Sequence, residues 1–424
     1  MECATILSPA MAQPTSASSM FPVEIWREII RLATLTPRPT RSCEPGQASK
    51  SAVHFNWPHT ASCGVIDDEP PKTKHSLALT SYRFWHMTSE FLYETVHIRR
   101  ADHARVIATS PSLQDALAKW TKNLIIAPVF DLALSHAEFS PLARQFGEDI
   151  QLTLGCCKKL RSLVIRADAV SKRLAMYEVW MKICRAVPLG VQHLDIDDDI
   201  HAPSLWEPRH LLETRYDAFL RSLRLTAVQN TSAYDLPNLS HLALYSWPIA
   251  SKWAMQSLTH LYITYFPNLP RTNTFWTSPK PTLELLHFGH GTDLGSFPDL
   301  SRFLRNTTPN LHTLEYYYYG DSEMSWDPSA LPDSLKRVTI KTFHHWPTGY
   351  KRGQLEMNFS NDNSEPILLP ASAERWSAFA RHIAGFNVRP TILVPKGTSL
   401  SCLEAVIRPI FAERGADACF AESP

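Results

Sequence analysis

One phrase recurs from about residue 120 onward and limits the chain's architecture more than any other feature. It runs apolar, two variable residues, apolar, one variable residue, apolar. It occurs nine times, at Thr121–Ile126, Leu160–Ile165, Val191–Ile196, Leu220–Leu225, Leu239–Leu244, Leu258–Ile263, Leu283–Phe288, Leu311–Tyr316 and Leu335–Ile340, with only Thr121 departing from the apolar rule. The middle apolar residues stand at 124, 163, 194, 223, 242, 261, 286, 314 and 338, at intervals of 39, 31, 29, 19, 19, 25, 28 and 24 residues. Turn chemistry accompanies several of them, as in Leu236-Pro-Asn-Leu, Thr308-Pro-Asn-Leu and Leu331-Pro-Asp-Ser-Leu, where Pro with Asn or Asp bends the chain toward the next strand. A single such unit cannot bury its own leucines, so stacked neighbours have to do it.

The spacing centres on the roughly 20 to 29 residues of leucine-rich repeats, with longer early units. The expected fold class is therefore α/β: an irregular solenoid over residues 99–424 in which each unit is a strand plus a returning helix or irregular arm, with a parallel sheet on its concave face. The repeats lack a consistent Asn after the strand, which predicts irregularity. The competing architecture is a set of ordinary strands in an α/β sheet. In a solenoid the residue between the last two apolar positions points to the open face, giving Val164, Asp195, Arg224, Ala243, Tyr262, His287, Glu315 and Thr339. Of these, Arg224, Tyr262, His287 and Glu315 are the candidate substrate-binding residues, since their mix of charge and aromatic character suits a protein ligand better than a sugar-phosphate backbone. Near the C-terminus, residues 388–395 read as a final strand. Ser401 with Glu404 reads as a capping box opening a helix, together forming a cap on the stack.

Charge excludes some functions. Lys plus Arg is 42 against 41 for Asp plus Glu, so no global field attracts nucleic acid or anionic lipid. Eight Cys occur without a CxxC pair, which predicts reduced thiols; with no basic n-region or long apolar run near the start, the expected location is cytoplasmic or nuclear and no membrane partner is expected.

No catalytic, metal or cofactor constellation is evident. Gly289, Gly291 and Gly295 follow a strand, but Leu294 stands where a dinucleotide fingerprint needs its third glycine, so the glycines read as a turn leaving the strand. Asp195, Asp197, Asp198 and Asp199 read as a solvated strand end. Tyr316 to Tyr319 should place two rings inward and two outward. His344 and His345 have no third ligand nearby. The chain is expected not to be an enzyme, and a nucleotide-dependent enzyme using the Gly289 region is the remote alternative.

Residues 1–19 have the composition of a tail without fixed structure. The next segment, Phe21 to Ala33, predicts a short helix stopped by Pro37 and Pro39. Its apolar positions Ile25, Trp26, Ile29, Ile30, Leu32 and Ala33 sweep about 160°, wider than one core-facing stripe of about 100°. Such a helix has either two clients, its own domain and a partner, or a deeper core. Residues 36–74 form a Pro-rich insertion; two short helices are expected over residues 75–93, then a strand to Ile98.

Phe21-Pro22-x-Glu24-Ile25, Ile29-Ile30, Leu32-Ala33, Leu77-Ala-Leu79, Ser81 where a Cys is usual, Trp85 and Phe91-Leu-Tyr93 resemble the F-box of fungal F-box-like proteins. Phe21 replaces the usual Leu, and the insertion splits the motif. The resemblance covers about a tenth of the chain and implies an F-box-like domain over residues 20–98, including the insertion. It further implies a substrate-recognition subunit of an SCF-type cullin-RING ubiquitin ligase that docks on a Skp-family adaptor and presents a protein substrate. Carried over, Pro22, Ile25, Ile29, Leu77, Leu79 and Trp85 are the candidate adaptor-binding residues. A repeat scaffold with no ligase link is the alternative.

Overall fold

The structure is a computed structural model and describes residues 22–34, 76, 78–128, 130, 135–167, 174–198, 219–225, 234–246, 253–266, 280–292, 294, 299–318, 326–342, 357–358, 367–368, 370–394 and 400–422. The tail 1–19, the insertion 36–74, Leu77, Asp199, Gly295, Tyr319 and the His344-His345 pair lie outside the described residues. In chain order the first elements are α1 (Val23–Thr34), α2 (Tyr82–Glu94), β1 (Thr95–Ile98), α3 (Ala101–Thr109), α4 (Pro111–Trp120), β2 (Asn123–Ile126), α5 (His136–Cys156), β3 (Ser162–Ala167), α6 (Leu174–Ala186) and β4 (His193–Asp198). Then follow β5 (Ser222–Leu225), β6 (His241–Ser246), β7 (His260–Phe266), β8 (Leu285–Thr292), α7 (Leu300–Thr307), β9 (Thr313–Tyr318) and β10 (Arg337–Thr342). The last are β11 (Met357–Asn358), β12 (Ile367–Leu368), α8 (Pro370–Ala384), β13 (Thr391–Val394), α9 (Leu400–Glu413) and β14 (Cys419–Glu422).

Twelve strands form one sheet in the order β1 to β10, then β13 and β14, and every pairing is parallel. Strand order follows chain order throughout, so each unit pairs only with its sequence neighbours. This α/β arrangement is compatible with a repeat solenoid.

Register explains why the phrase takes the form it does. Leu124, Leu163, Leu194, Leu223, Leu242, Leu261, Leu286, Leu314 and Val338 align across consecutive strands, and all are buried. The third apolar position aligns likewise from Ile126 through Ile165, Ile196, Leu225, Leu244, Ile263 and Phe288. Being two residues apart, these positions share one face of the sheet. They join α5, α6, α8 and α9 in a continuous core. The first position closes a turn: its N–H donates to the carbonyl three residues back at Leu160, Val191, Leu239, Leu258, Leu283, Leu311 and Leu335, at 3.1–3.4 Å. The second position carries the ladder from unit to unit. The carbonyl of Lys122 accepts from the N–H groups of Arg161 and Ser162, that of Arg161 from Gln192 and His193, and so on unbroken to His312, which accepts from Lys336 and Arg337.

Interval length decides what returns the chain. The long early intervals hold the helices α5 and α6. The intervals of 19 residues leave no room for a helix, and there the backs of two units meet through an isolated parallel bridge, Asp235 to Ala254. A helix needs about 10 Å of width, whereas strands stack about 4.8 Å apart, so mixing the two makes the stack irregular.

At the N-terminal end, Ser81 takes an extended conformation and its side chain caps the N–H of Phe84 at 3.2 Å, separating the helical turn at residues 78–80 from α2. Trp26 of α1 meets Phe84 edge to face at 5.3 Å, α1 packs against α2, and Ile30 is buried. The strand after α2 is β1 itself, so the sheet begins at Thr95 rather than beyond residue 98. At the other end, α8 and α9 cover the core with Trp376, Phe379, Ile383, Ile407 and Phe411. The 6→1 bond from Ala416 N–H to the Phe411 carbonyl, with Gly415 at φ 68°, ends α9 and turns the chain into β14. That last strand was not expected from sequence, because Cys419-Phe-Ala-Glu422 carries no copy of the phrase.

Two sequence readings change on these strands. Gly289 and Gly291 lie within β8, opposite a register shift between Ile263 and Tyr265, so the glycines mark an irregularity in a strand and not its exit. Asp195 is buried rather than at a solvated end. The tyrosine run alternates as expected: Tyr316 and Tyr318 enter the core, while Tyr317 lies on the opposite face and is partly covered.

Leu242→Ala removes a fully buried ladder residue and should cost about 2–5 kcal/mol in chemical denaturation, whereas Leu189→Ala, at an exposed turn, should change stability by less than about 0.5 kcal/mol. Equal effects would contradict the stacked core.

Candidate functional site

Two surfaces carry the candidate residues. The first is the outer side of α1 and α2. Ile25 and Ile29, one turn apart on α1, are 46% and 42% exposed; Leu79, Tyr82 and Trp85 are 83%, 78% and 40% exposed, and Pro22 is exposed as well. The opposite side of the same helices holds Ile30 and Met87 in the interior. The two helices thus have one apolar side inside and one in solvent, with Arg27 and Glu90 bridging them at 3.9 Å. Clustered apolar exposure of this kind is uncommon on a surface with no partner.

The second surface is the sheet face turned away from the core. The between-position residues align in register as Val164, Asp195, Arg224, Ala243, Tyr262, His287, Glu315 and Thr339. All point to one side, but the row is not an open surface. Tyr262 and His287 are 6% and 1% exposed, and Val164, Asp195, Ala243 and Thr339 are buried too; Arg224 and Glu315 are half-buried. Direction alone suggested an accessible face. In-register side chains about 4.8 Å apart cover one another, and large ones do so best. The Tyr262 and His287 rings, 4.3 Å between centroids, are an instance.

Two charged clusters lie on this row. In the first, Arg166 makes a bidentate pair with Asp195 at 2.8 and 2.9 Å, and Arg224 approaches the same carboxylate at 3.7 Å. Burial alone would raise the Asp195 pKa, but the two guanidinium groups outweigh it and hold the carboxyl below its ordinary value. In the second, His287 Nδ1 and Glu315 Oε2 are 2.9 Å apart, Lys341 Nζ lies 3.2 Å from the same oxygen, and Lys341 also sits 5.8 Å from the Tyr317 ring. Burial lowers His287 to about 4, so at neutral pH the ring is uncharged and donates its Nδ1–H to the carboxylate. For Glu315 burial opposes ionisation, yet the His287 hydrogen bond and the Lys341 charge prevail and bring it to about 2. One step toward the strand starts, His241 and His260 stack at 4.3 Å.

Arg166 and Lys341 were missed by sequence reasoning. Each lies two residues beyond a named position, at 164 and 339, and the period of two would have found them. The candidates Pro22, Ile25, Ile29, Leu79 and Trp85 are all exposed, on or next to α1 and α2, while Leu77 is outside the described residues. These clusters provide ion pairing, hydrogen bonding and aromatic contact. Among the described residues no group of three or more His, Cys, Asp or Glu is placed to hold a metal ion, and no helix is long and apolar enough to cross a membrane. No family model matches the chain, and no curated protein matches it significantly.

Buried His287 and His382, the latter lowered to about 3 by burial, bind protons less readily folded than at their ordinary 6.5, and Glu315 at about 2 likewise against 4.5. Their stability contributions are complete above those ordinary values and are lost as pH falls toward the folded ones. The melting temperature should therefore hold near pH 7.5 and decline from about pH 6.5 downward. A His287→Gln, His382→Gln double variant should flatten the decline between about pH 6.5 and 4.5. A wild-type curve level to pH 5 would show the assignment to be wrong.

Proposed function

We propose that this chain is a non-enzymatic substrate-recognition subunit of an SCF-type cullin-RING ubiquitin ligase. In this reading its N-terminal helical segment is an F-box that docks on a Skp-family adaptor. The sheet that follows is an irregular leucine-rich-repeat solenoid that binds a protein substrate in the cytoplasm or nucleus. The observation that carries the reading is the exposed apolar side of α1 and α2, with Ile25, Ile29, Leu79 and Trp85 in solvent while Ile30 and Met87 serve the interior. The wide apolar arc of α1 left open whether its outer half met a partner or a deeper core; exposure of Ile25 and Ile29 favours the partner. Strand-for-strand stacking behind the helices supports the repeat reading. For the substrate, the half-buried Arg224, Glu315 and Lys341 supply the charge; the buried Asp195 pairs with Arg224, and the buried His287, against which Tyr262 packs, holds Glu315.

Co-purification with a Skp-family adaptor tests the proposal. Burying a large apolar side chain at an interface centre contributes about 2 kcal/mol, so Trp85→Ala should weaken adaptor binding roughly 30-fold, and Ile25→Asp should abolish it. Circular dichroism should be unchanged, because neither side chain belongs to the buried core. A wild-type chain that ignores the adaptor would favour a repeat scaffold with no ligase link, and unchanged binding by both variants would remove the proposed surface.

A further inference from the structure

The N-terminal edge of the sheet, where the phrase turns into each strand, carries a strip of exposed cations with no carboxylate beside them among the described residues. Lys158, Lys159 and Arg161 precede β3, and Arg221 precedes β5; all four are exposed. Exposed Lys119 joins them, since Lys119 and Lys159 both lie over the Trp120 ring, at 5.5 and 6.0 Å. Their order on the edge is fixed by the backbone ladder, in which the Lys122 carbonyl accepts from Arg161, Arg161 from Gln192, and Gln192 from Arg221. Adjacent units therefore stand about 4.8 Å apart along the strip.

Several cations elsewhere have carboxylates: Arg27 with Glu90, Lys122 with Glu94, Lys182 with Glu148, Arg389 with Asp417 and Arg408 with Glu404. Among the described residues the five cations of the strip have none within 4.0 Å, and the described residues 157–161, 187–192, 219–221, 236–240 and 255–259, which build this part of the edge, contain no Asp or Glu. In a chain with 42 cationic and 41 anionic side chains this local excess is not a consequence of composition.

The strip is not purely charged. Between Arg161 and Arg221 the edge exposes Leu189 at 50% and Phe219 at 52%, in the turns that lead to β4 and β5. Phe219 and Arg221 also line a groove of about 400 Å³ whose remaining walls are Gln192, Asn238, Ser240 and Ser257. The Gln192 amide and the Ser257 hydroxyl there offer hydrogen bonds to a peptide backbone.

We propose that this edge is a docking strip for an extended acidic peptide segment that carries an apolar residue between its carboxylates. The cations before β3 take one acidic group, Arg221 takes the other, and Leu189 with Phe219 takes the apolar side chain between them. A nucleic-acid backbone would leave Leu189 unmatched. An anionic bilayer would need a broader field than five cations in a chain of balanced charge. The strip shares no residue with the apolar side of α1 and α2, so it stands or falls separately from the adaptor proposal.

Fluorescence anisotropy on the full chain tests it, using a labelled short peptide of glutamate pairs separated by single leucines. Controls are an all-glutamate peptide of equal charge, an oligodeoxythymidine and vesicles containing phosphatidylserine. The mixed peptide should bind most tightly, and binding should weaken with salt. The triple substitution Lys159→Glu, Arg161→Glu, Arg221→Glu should weaken it at least about tenfold, while Lys336→Glu, at the β10 end of the same edge, should leave it unchanged. Phe219→Ser should reduce binding of the mixed peptide and not of the all-glutamate one; should the triple variant fail to fold, this single change decides. Indifference of the mixed peptide to these substitutions, or stronger binding of the oligonucleotide or vesicles, would overturn the proposal.

Discussion

The double acceptor at the start of each strand is the interaction on which the rest of the structure rests. One carbonyl takes two N–H groups from the following unit, from Lys122 to His312, and so fixes both the spacing and the register of the next strand. With register fixed, leucine falls on leucine, and each middle residue is buried by the strands on either side. A slip of one residue would move the whole leucine row to the far face and bring Asp195, Arg224 and Glu315 into the core. The penalty for that is large, since charges without partners in an apolar interior are among the costliest arrangements a chain can adopt.

The same logic explains the end units. A parallel stack has two raw ends, and each must be covered by something that is not another copy of the repeat. At the C-terminal end the cover is α8 with α9, whose Phe379 stacks on Tyr318 at 4.3 Å while His382 meets the Tyr316 hydroxyl at 3.0 Å. At the N-terminal end α2 runs straight into β1 and packs against α4. The two covers differ in what they leave outside. The described large apolar side chains of α8 and α9 are buried or partly buried, whereas α1, α2 and the turn before them keep Val23, Ile25, Ile29, Leu79, Tyr82 and Trp85 in solvent. Covering the stack therefore does not account for the N-terminal helices, and their outer side has to be explained by something else.

Much of the fold was legible because the phrase is a geometric instruction. Two apolar positions two residues apart define a strand face, and the third residue before them defines the turn, so nine strands of the sheet could be placed from sequence with their registers. What escaped lacked the phrase or depended on neighbours. β14 has no leucine pattern, and the strand character of Gly289 and Gly291 comes from pairing with β7. For the candidate site, direction was legible and accessibility was not: the alternation that aims His287 away from the core says nothing of Tyr262 beside it. The exposure of Ile25 and Ile29 was the inverse case, since the arc of α1 was readable and only packing could divide it.

Burial of the far-face row alters how that face can recognise anything. An open row of eight side chains would read a ligand residue by residue. With His287 and Asp195 buried, their contribution is to hold charges at set positions: Asp195 aligns the Arg166 guanidinium by two hydrogen bonds, and His287 with Lys341 keeps Glu315 ionised. Such groups are costly to rearrange, because freeing any one leaves another buried without its partner. A ligand on this face would meet a preset pattern, cationic at Arg166 and Arg224 and of mixed sign at Glu315 and Lys341. Selectivity would then come from matching that pattern rather than from side chains adapting to the ligand, and the loss of a buried member would disturb recognition through the charges it holds.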